Sequence, residues 1–182
     1  MFILYAIPIG IVAGFLLGGR LEGVAAIRFR WVPVILIGLL VQVAIFTDTI
    51  GRLVGGAGPV LYVASTAAVF VAVLRNVAIP GVWLLAAGAG SNLAAIATNG
   101  GLMPADPQAL VAVGAFGVAY PNSVVLEHPT LAPLTDLFAL PTWLPFANVF
   151  SIGDVLIGVG VAATIALAMR SVRPAARPGR AS

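Results

Sequence analysis

The sequence predicts an all-α polytopic membrane protein: five transmembrane helices, with a lid-like extracytoplasmic loop between the fourth and the fifth. Three observations lead there. Hydrophobic residues make up 61% of the chain and charged residues only 8%, against roughly 25% charged in ordinary soluble domains. The apolar residues gather into five runs near the ~20 residues that a spanning helix needs. The charges lie between those runs, sorted by side.

The first run, Phe2–Gly19, has neither a basic n-region nor an A-x-A-like cleavage site, so it reads as a retained helix and not a signal peptide. Ala6, Gly10, Gly14 and Gly18 fall four apart on it. Small residues at that spacing let helix backbones approach closely in lipid. An intrachain seam is the favoured use of this stripe, over a dimer face or docking onto an energising partner. Arg28, Phe29, Arg30 and Trp31 then form an interfacial anchor. The next runs are Trp31–Ile50, Leu53–Leu74 and Val77–Thr98, and the last is Ile152–Met169. Residues 1–169 thus form one transmembrane domain with an outer loop over 99–150. The Arg- and Pro-rich tail, 170–182, reads as disordered and cytoplasmic. Arg170, Arg173, Arg177 and Arg180 are suited to anionic lipids, at ~1 kcal/mol each. The two halves of the chain show no internal repeat, which argues against an inverted-repeat transporter.

Of the nine arginines, Arg52 alone falls on the opposite side from the rest. By the positive-inside rule the N-terminus is outside and the C-terminus cytoplasmic, in the inner membrane of a bacterium. Five of the six acids, all but Glu22, lie at the outer side. That face either attracts cations and amines or keeps its acids for solubility.

Several functions are excluded or disfavoured. Cysteine is absent and His128 is the sole histidine, which removes disulfides, thiolate chemistry and paired-histidine haem ligation within one chain. No metal or cofactor is expected. The arginines are spread by membrane side and not over a soluble face, so nucleic acid is not a partner. No G-x-S-x-G, H-E-x-x-H or P-loop occurs. An acid–base pair would need His128 to meet Asp136 or Asp154 beneath the lid.

The outer halves of the spans carry polar residues that hydrocarbon penalises, so they should face one another. The candidate ligand-binding residues are Gln42, Asn92, Asn99, Gly100, Gly101, Asp136, Ser151 and Asp154. Each has a structural reading beside the functional one. Gln42 and Asn92 can be interhelical glue, and Ser151 with Asp154 spells a capping box. Asn99-Gly100-Gly101 reads as a helix stop, whose surplus glycine fits a backbone passing close to another element or a bound group. Asp106-Pro107 opens a short helix to about Gly117. Phe116, Tyr120, Phe138, Trp143 and Phe146 make the rest of the loop too apolar for a solvated linker.

Three segments, NGGLMP at Asn99–Pro104, TLAPLTDLFALP at Thr130–Pro141 and SIGD at Ser151–Asp154, resemble the signatures of a bacterial family of small polytopic membrane proteins known as domain of unknown function 5317. The resemblance implies a shared fold and a focus on the outer face. It implies no activity. The reading is therefore a small membrane protein binding a small polar or cationic molecule, or a lipid head group, in an outward-facing pocket. The alternative is a structural or accessory subunit of a membrane complex, its protein partner unknown; a membrane-embedded hydrolase or transferase is less favoured.

Overall fold

The computed structural model describes residues 2–115 and 123–171, and it is mostly helical. A 3-10 turn at Phe2–Tyr5 leads into α1 (Ala6–Leu16), followed by the short α2 (Glu22–Ala25), α3 (Val32–Ile45) and α4 (Asp48–Val54). A 3-10 turn then joins α4 to α5 (Gly58–Leu74), and α6 (Val82–Thr98) follows. The loop holds β1 (Met103–Pro104), α7 (Pro107–Ala112), β2 (Ser123–Val124), β3 (Phe138–Ala139) and β4 (Val149–Phe150) before α8 (Ile152–Ser171).

Two helical stretches are long and apolar enough to cross a membrane, Asp48–Leu74 and Ile152–Ser171. The other three apolar helices are shorter than the sequence suggests, and local chemistry explains each. Helix α1 ends in a Schellman turn: Gly18 takes φ +75°, and Gly19 N–H returns to the Gly14 carbonyl at 2.8 Å. The second run breaks at Thr47, not at Gly51. The Thr47 hydroxyl accepts from Ile50 N–H, so Asp48 opens a new helix instead of closing the old one. Helix α6 starts only at Val82, because Pro80 and Gly81, at φ +90°, hold the preceding turn.

Helix α8 packs on α1 and α6, α6 also packs on α5, and α5 on α3. The small-residue stripe is an intrachain seam. Ala6, Gly10 and Gly14 are buried, and a Cβ on Gly10 would stand 2.8 Å from Ala162 Cα. Gly18 departs from the expected stripe; Gly19 takes its place against Met169. Large faces of α1 and α3 stay uncovered, Val12, Leu36, Leu40 and Val43 among them.

The two ends of the bundle differ in charge. Arg20 N–H donates to the Met169 carbonyl at 2.8 Å, and the Arg75 guanidinium lies 5.7 Å over the Trp31 ring. Buried Asn76 ties the same end together: its amide donates to the carbonyls of Arg30 and Ala72 and accepts from Arg30 N–H at 2.7 Å. The opposite end carries the loop, in which the expected short helix is joined by short strands. Helix α7 begins as expected, with Asp106 accepting from Gln108 and Ala109 N–H. It stops early because Gly114, at φ +70°, closes another Schellman turn. Two-residue strands hold the rest: β1 pairs in parallel with β2, and β3 antiparallel with β4. Ala105, Ala109, Leu110, Ala115 and Val149 give the loop a small core of its own.

Candidate functional site

The SIGD segment forms the expected cap in reciprocal form. Ser151 Oγ accepts from Asp154 N–H at 3.1 Å, while Ser151 N–H donates to Asp154 Oδ2 at 3.0 Å. Asn92 on α6 completes the junction. Its Nδ2 donates to Asp154 Oδ1, and its Oδ1 accepts from Ser151 Oγ, both at 2.9 Å. Asn92 can reach because Gly88 and Gly153 lack side chains: a Cβ on Gly153 would collide with Asn92 Oδ1, and one on Gly88 with the Gly153 carbonyl. Asn92, Ser151 and Asp154 therefore satisfy one another with no space between them.

Asn99 makes a separate contact. Its Nδ2 donates to the Thr130 carbonyl at 2.7 Å, and its Oδ1 accepts from Thr130 N–H at 2.8 Å, as a strand neighbour would. Gly100 is the left-handed residue of the helix stop at φ +73°, and Gly101 N–H returns to the Ile96 carbonyl. The surplus glycine, Gly101, lies against Pro59: a Cβ there would stand 2.6 Å from Pro59 Cβ. Beside this contact is a cavity of about 130 Å³, lined by Phe46, Pro59, Tyr62, Gly101 and Leu102 among others.

Asp136 arrives from the loop. Its backbone is clamped by Asp136 N–H to the Pro104 carbonyl and Asp106 N–H to the Asp136 carbonyl, both 2.9 Å. The residue is 6% exposed, and among the described residues its carboxylate has no hydrogen-bond or ion-pair partner. Burial, with the Asp154 charge adding to it, pushes the Asp136 carboxyl up to about 7. Tyr62 lies within electrostatic reach of both carboxylates, stacks edge-on against Phe46 at 4.8 Å, and its hydroxyl has no partner among the described residues.

The other candidates stand apart from this cluster. Gln42 reaches Thr66 Oγ1 on α5 at 3.4 Å, a long contact within the α3–α5 pair. His128 is exposed and makes no hydrogen bond to Asp136 or Asp154. No group of three or more His, Cys, Asp or Glu side chains capable of holding a metal occurs among the described residues. Phe116 and Tyr120, and the tail with Arg173, Arg177 and Arg180, lie outside the described residues. Sequence reasoning missed Tyr62, since nothing distinguishes one tyrosine in an apolar run. It also missed Thr130, whose part is played by its backbone.

These features define a class: a helix bundle with two potential membrane spans, in which Asp136 from the loop lies within electrostatic reach of Asp154 on α8. The chain belongs to a family of unknown function (DUF5317), whose model matches residues 26–166. All three sequence segments that carry the resemblance lie inside that match, while α1 precedes it. No curated protein and no solved structure matches the chain.

Proposed function

We propose that this protein is a five-span protein of the bacterial inner membrane, N-terminus outside, that binds a small cation or amine beneath its outer loop. The spans shorter than the bilayer core would be accommodated by local thinning and by the arginines and tryptophans at their ends. The uncovered apolar faces of α1 and α3 are what lipid contact requires, since a water-facing surface of that kind is rare in monomers.

The observation that carries the ligand reading is Asp136. A carboxylate 6% exposed and without a hydrogen-bond or ion-pair partner among the described residues is costly as a bare anion. A proton or a bound cation relieves that cost. One carboxylate balances one charge, which fits a monovalent ion or an ammonium group. The Tyr62 ring and hydroxyl, in the wall of the neighbouring 130 Å³ cavity, supply the face and the oxygen that such a group favours. The closed junction of Asn92, Ser151 and Asp154 favours a second reading, an accessory subunit whose polar residues only join helices.

Stability against pH separates the two. The folded chain holds the Asp136 proton from 3.8 up to about 7, whereas the unfolded chain releases it at the lower value. Folding therefore binds a proton in that window, and stability falls as pH rises through it. A ligand cation should restore the loss at pH 8 and do less at pH 6. The test is thermal unfolding of detergent-solubilised protein with sodium, potassium, ethanolamine or choline at both pH values. The expected result is a cation-dependent rise at pH 8 that is absent from Asp136→Asn, which also flattens the pH profile. A wild-type melting temperature indifferent to every cation at pH 8 would sink the ligand reading and leave the accessory one.

A further inference from the structure

At the arginine-bearing end of the bundle, a groove of about 250 Å³ runs between the α1–α3 connection, the α5–α6 turn and the last turns of α8. Ile27, Ile79, Pro80 and Leu167 make its walls apolar, and Arg28 stands at its edge. We propose that this groove holds one anionic phospholipid, with the phosphate on Arg28 and the start of an acyl chain along the apolar wall.

Charge complementarity selects that occupant. Glu22, the acid at this end, is taken by Arg20 at 3.0 Å. Arg75 lies over Trp31. Arg28 has no ion-pair or hydrogen-bond partner among the described residues, and it is exposed beside an apolar slot. A soluble phosphate asks for several converging donors; one guanidinium above a hydrophobic channel suits an amphiphile. Thr164 adds an independent sign. It lines the groove and is 5% exposed, yet its hydroxyl has no partner among the described residues. A buried hydroxyl without an acceptor is an expense that a lipid ester or phosphate oxygen would remove. The inference rests on the proposed membrane placement, with this end at the inner leaflet, and does not involve Asp136.

The test is native mass spectrometry of delipidated protein in detergent, titrated with phosphatidylglycerol or phosphatidylcholine. Wild type should retain phosphatidylglycerol in preference. Arg28→Gln should weaken that retention about five-fold, the ratio expected for one arginine near an anionic head group. Ala26→Phe, which fills the groove from its exposed edge and keeps the charge, should do the same. Arg52→Gln, which removes an exposed arginine on α4 at the loop end of the bundle, should bind as wild type does. Equal binding of the two lipids, or Arg28→Gln retaining lipid unchanged, overturns the proposal. So does equal loss in Arg52→Gln, which would mean diffuse charge, or full displacement by inorganic phosphate, which would mean a soluble-anion site. Sidedness is read separately from a reporter fused after Ser182. A reporter found outside removes the membrane placement but leaves the detergent measurement standing.

Discussion

Helix α8 is gripped from two sides, and the two grips work by different physics. Against α1 it is held by close approach: Gly10 lies on the Ala162 backbone, Gly14 on the Met169 side chain, and Gly19 just beyond α1 on the Met169 backbone and Cβ. Against α6 the approach is equally close, through Gly88, Gly153 and Gly160, but it also places Asn92 within bonding distance of Ser151 and Asp154. On one side small residues allow a close apolar contact. On the other they act as spacers that allow a polar one. The comparison teaches that a glycine stripe in such a bundle has no single meaning; the side chain one turn further along decides it.

The largest effect should come from breaking the first grip. A Cβ at Gly10 meets backbone atoms of Ala162 at 2.8 and 2.9 Å, which can yield only by moving a helix. Gly10→Val should therefore cost about 3 kcal/mol, measured by reversible unfolding in micelles. Gly14→Ala should cost clearly less, because the atoms it meets belong to the flexible Met169 thioether. Equal costs at the two positions would show that the seam is not steric in the way described.

The second grip should be weaker and directional. Asn92→Ala removes both amide bonds and leaves Asp154 Oδ1 without its donor. We expect a loss of about 1–2 kcal/mol, near the upper end for hydrogen bonds between membrane helices. Asn92→Asp would place a second carboxylate against Asp154, and its cost should shrink as pH falls. A loss below about 0.3 kcal/mol for Asn92→Ala would mean that the junction is bystander geometry.

Local signals were legible in the sequence, and non-local ones were not. The Ser151–Asp154 cap, the Asp106 cap and the left-handed turn at Gly100 each lie within a few residues of chain, so spacing alone displays them. The α1 seam was legible in outline because a four-residue repeat of small side chains survives any partner. Its last member failed at Gly18, where a turn replaced a contact. The break at Thr47 was hidden by apolar residues on both sides, and a hydroxyl cap there competed unseen with a longer helix. Asn99 meeting Thr130, Asn76 meeting Arg30 and Asp136 bridging to Ala105 join residues 31 to 46 positions apart. No periodicity encodes those pairings. The short strands of the loop escaped notice for the same reason, since two residues of extended chain carry no alternation to read.

Gln42 sharpens the comparison from below. It reads in the sequence like Asn92, an amide in an apolar run, and both were candidates for the same pocket. Yet Gln42 reaches only a 3.4 Å contact with Thr66 Oγ1, and that hydroxyl is already bonded to the Tyr62 carbonyl at 2.7 Å. Gly38, one turn before it, already brings α3 close to Val69 and the Ser65 carbonyl on α5, so the seam does not depend on the amide. Gln42→Leu keeps the volume, removes a weak bond and strands no buried partner. Its effect on unfolding should lie within about 0.5 kcal/mol, the smallest of the set. A loss as large as that of Asn92→Ala would mean that the α3–α5 pair is also held by a polar junction, and the contrast between the two kinds of seam would no longer separate the helices of this bundle.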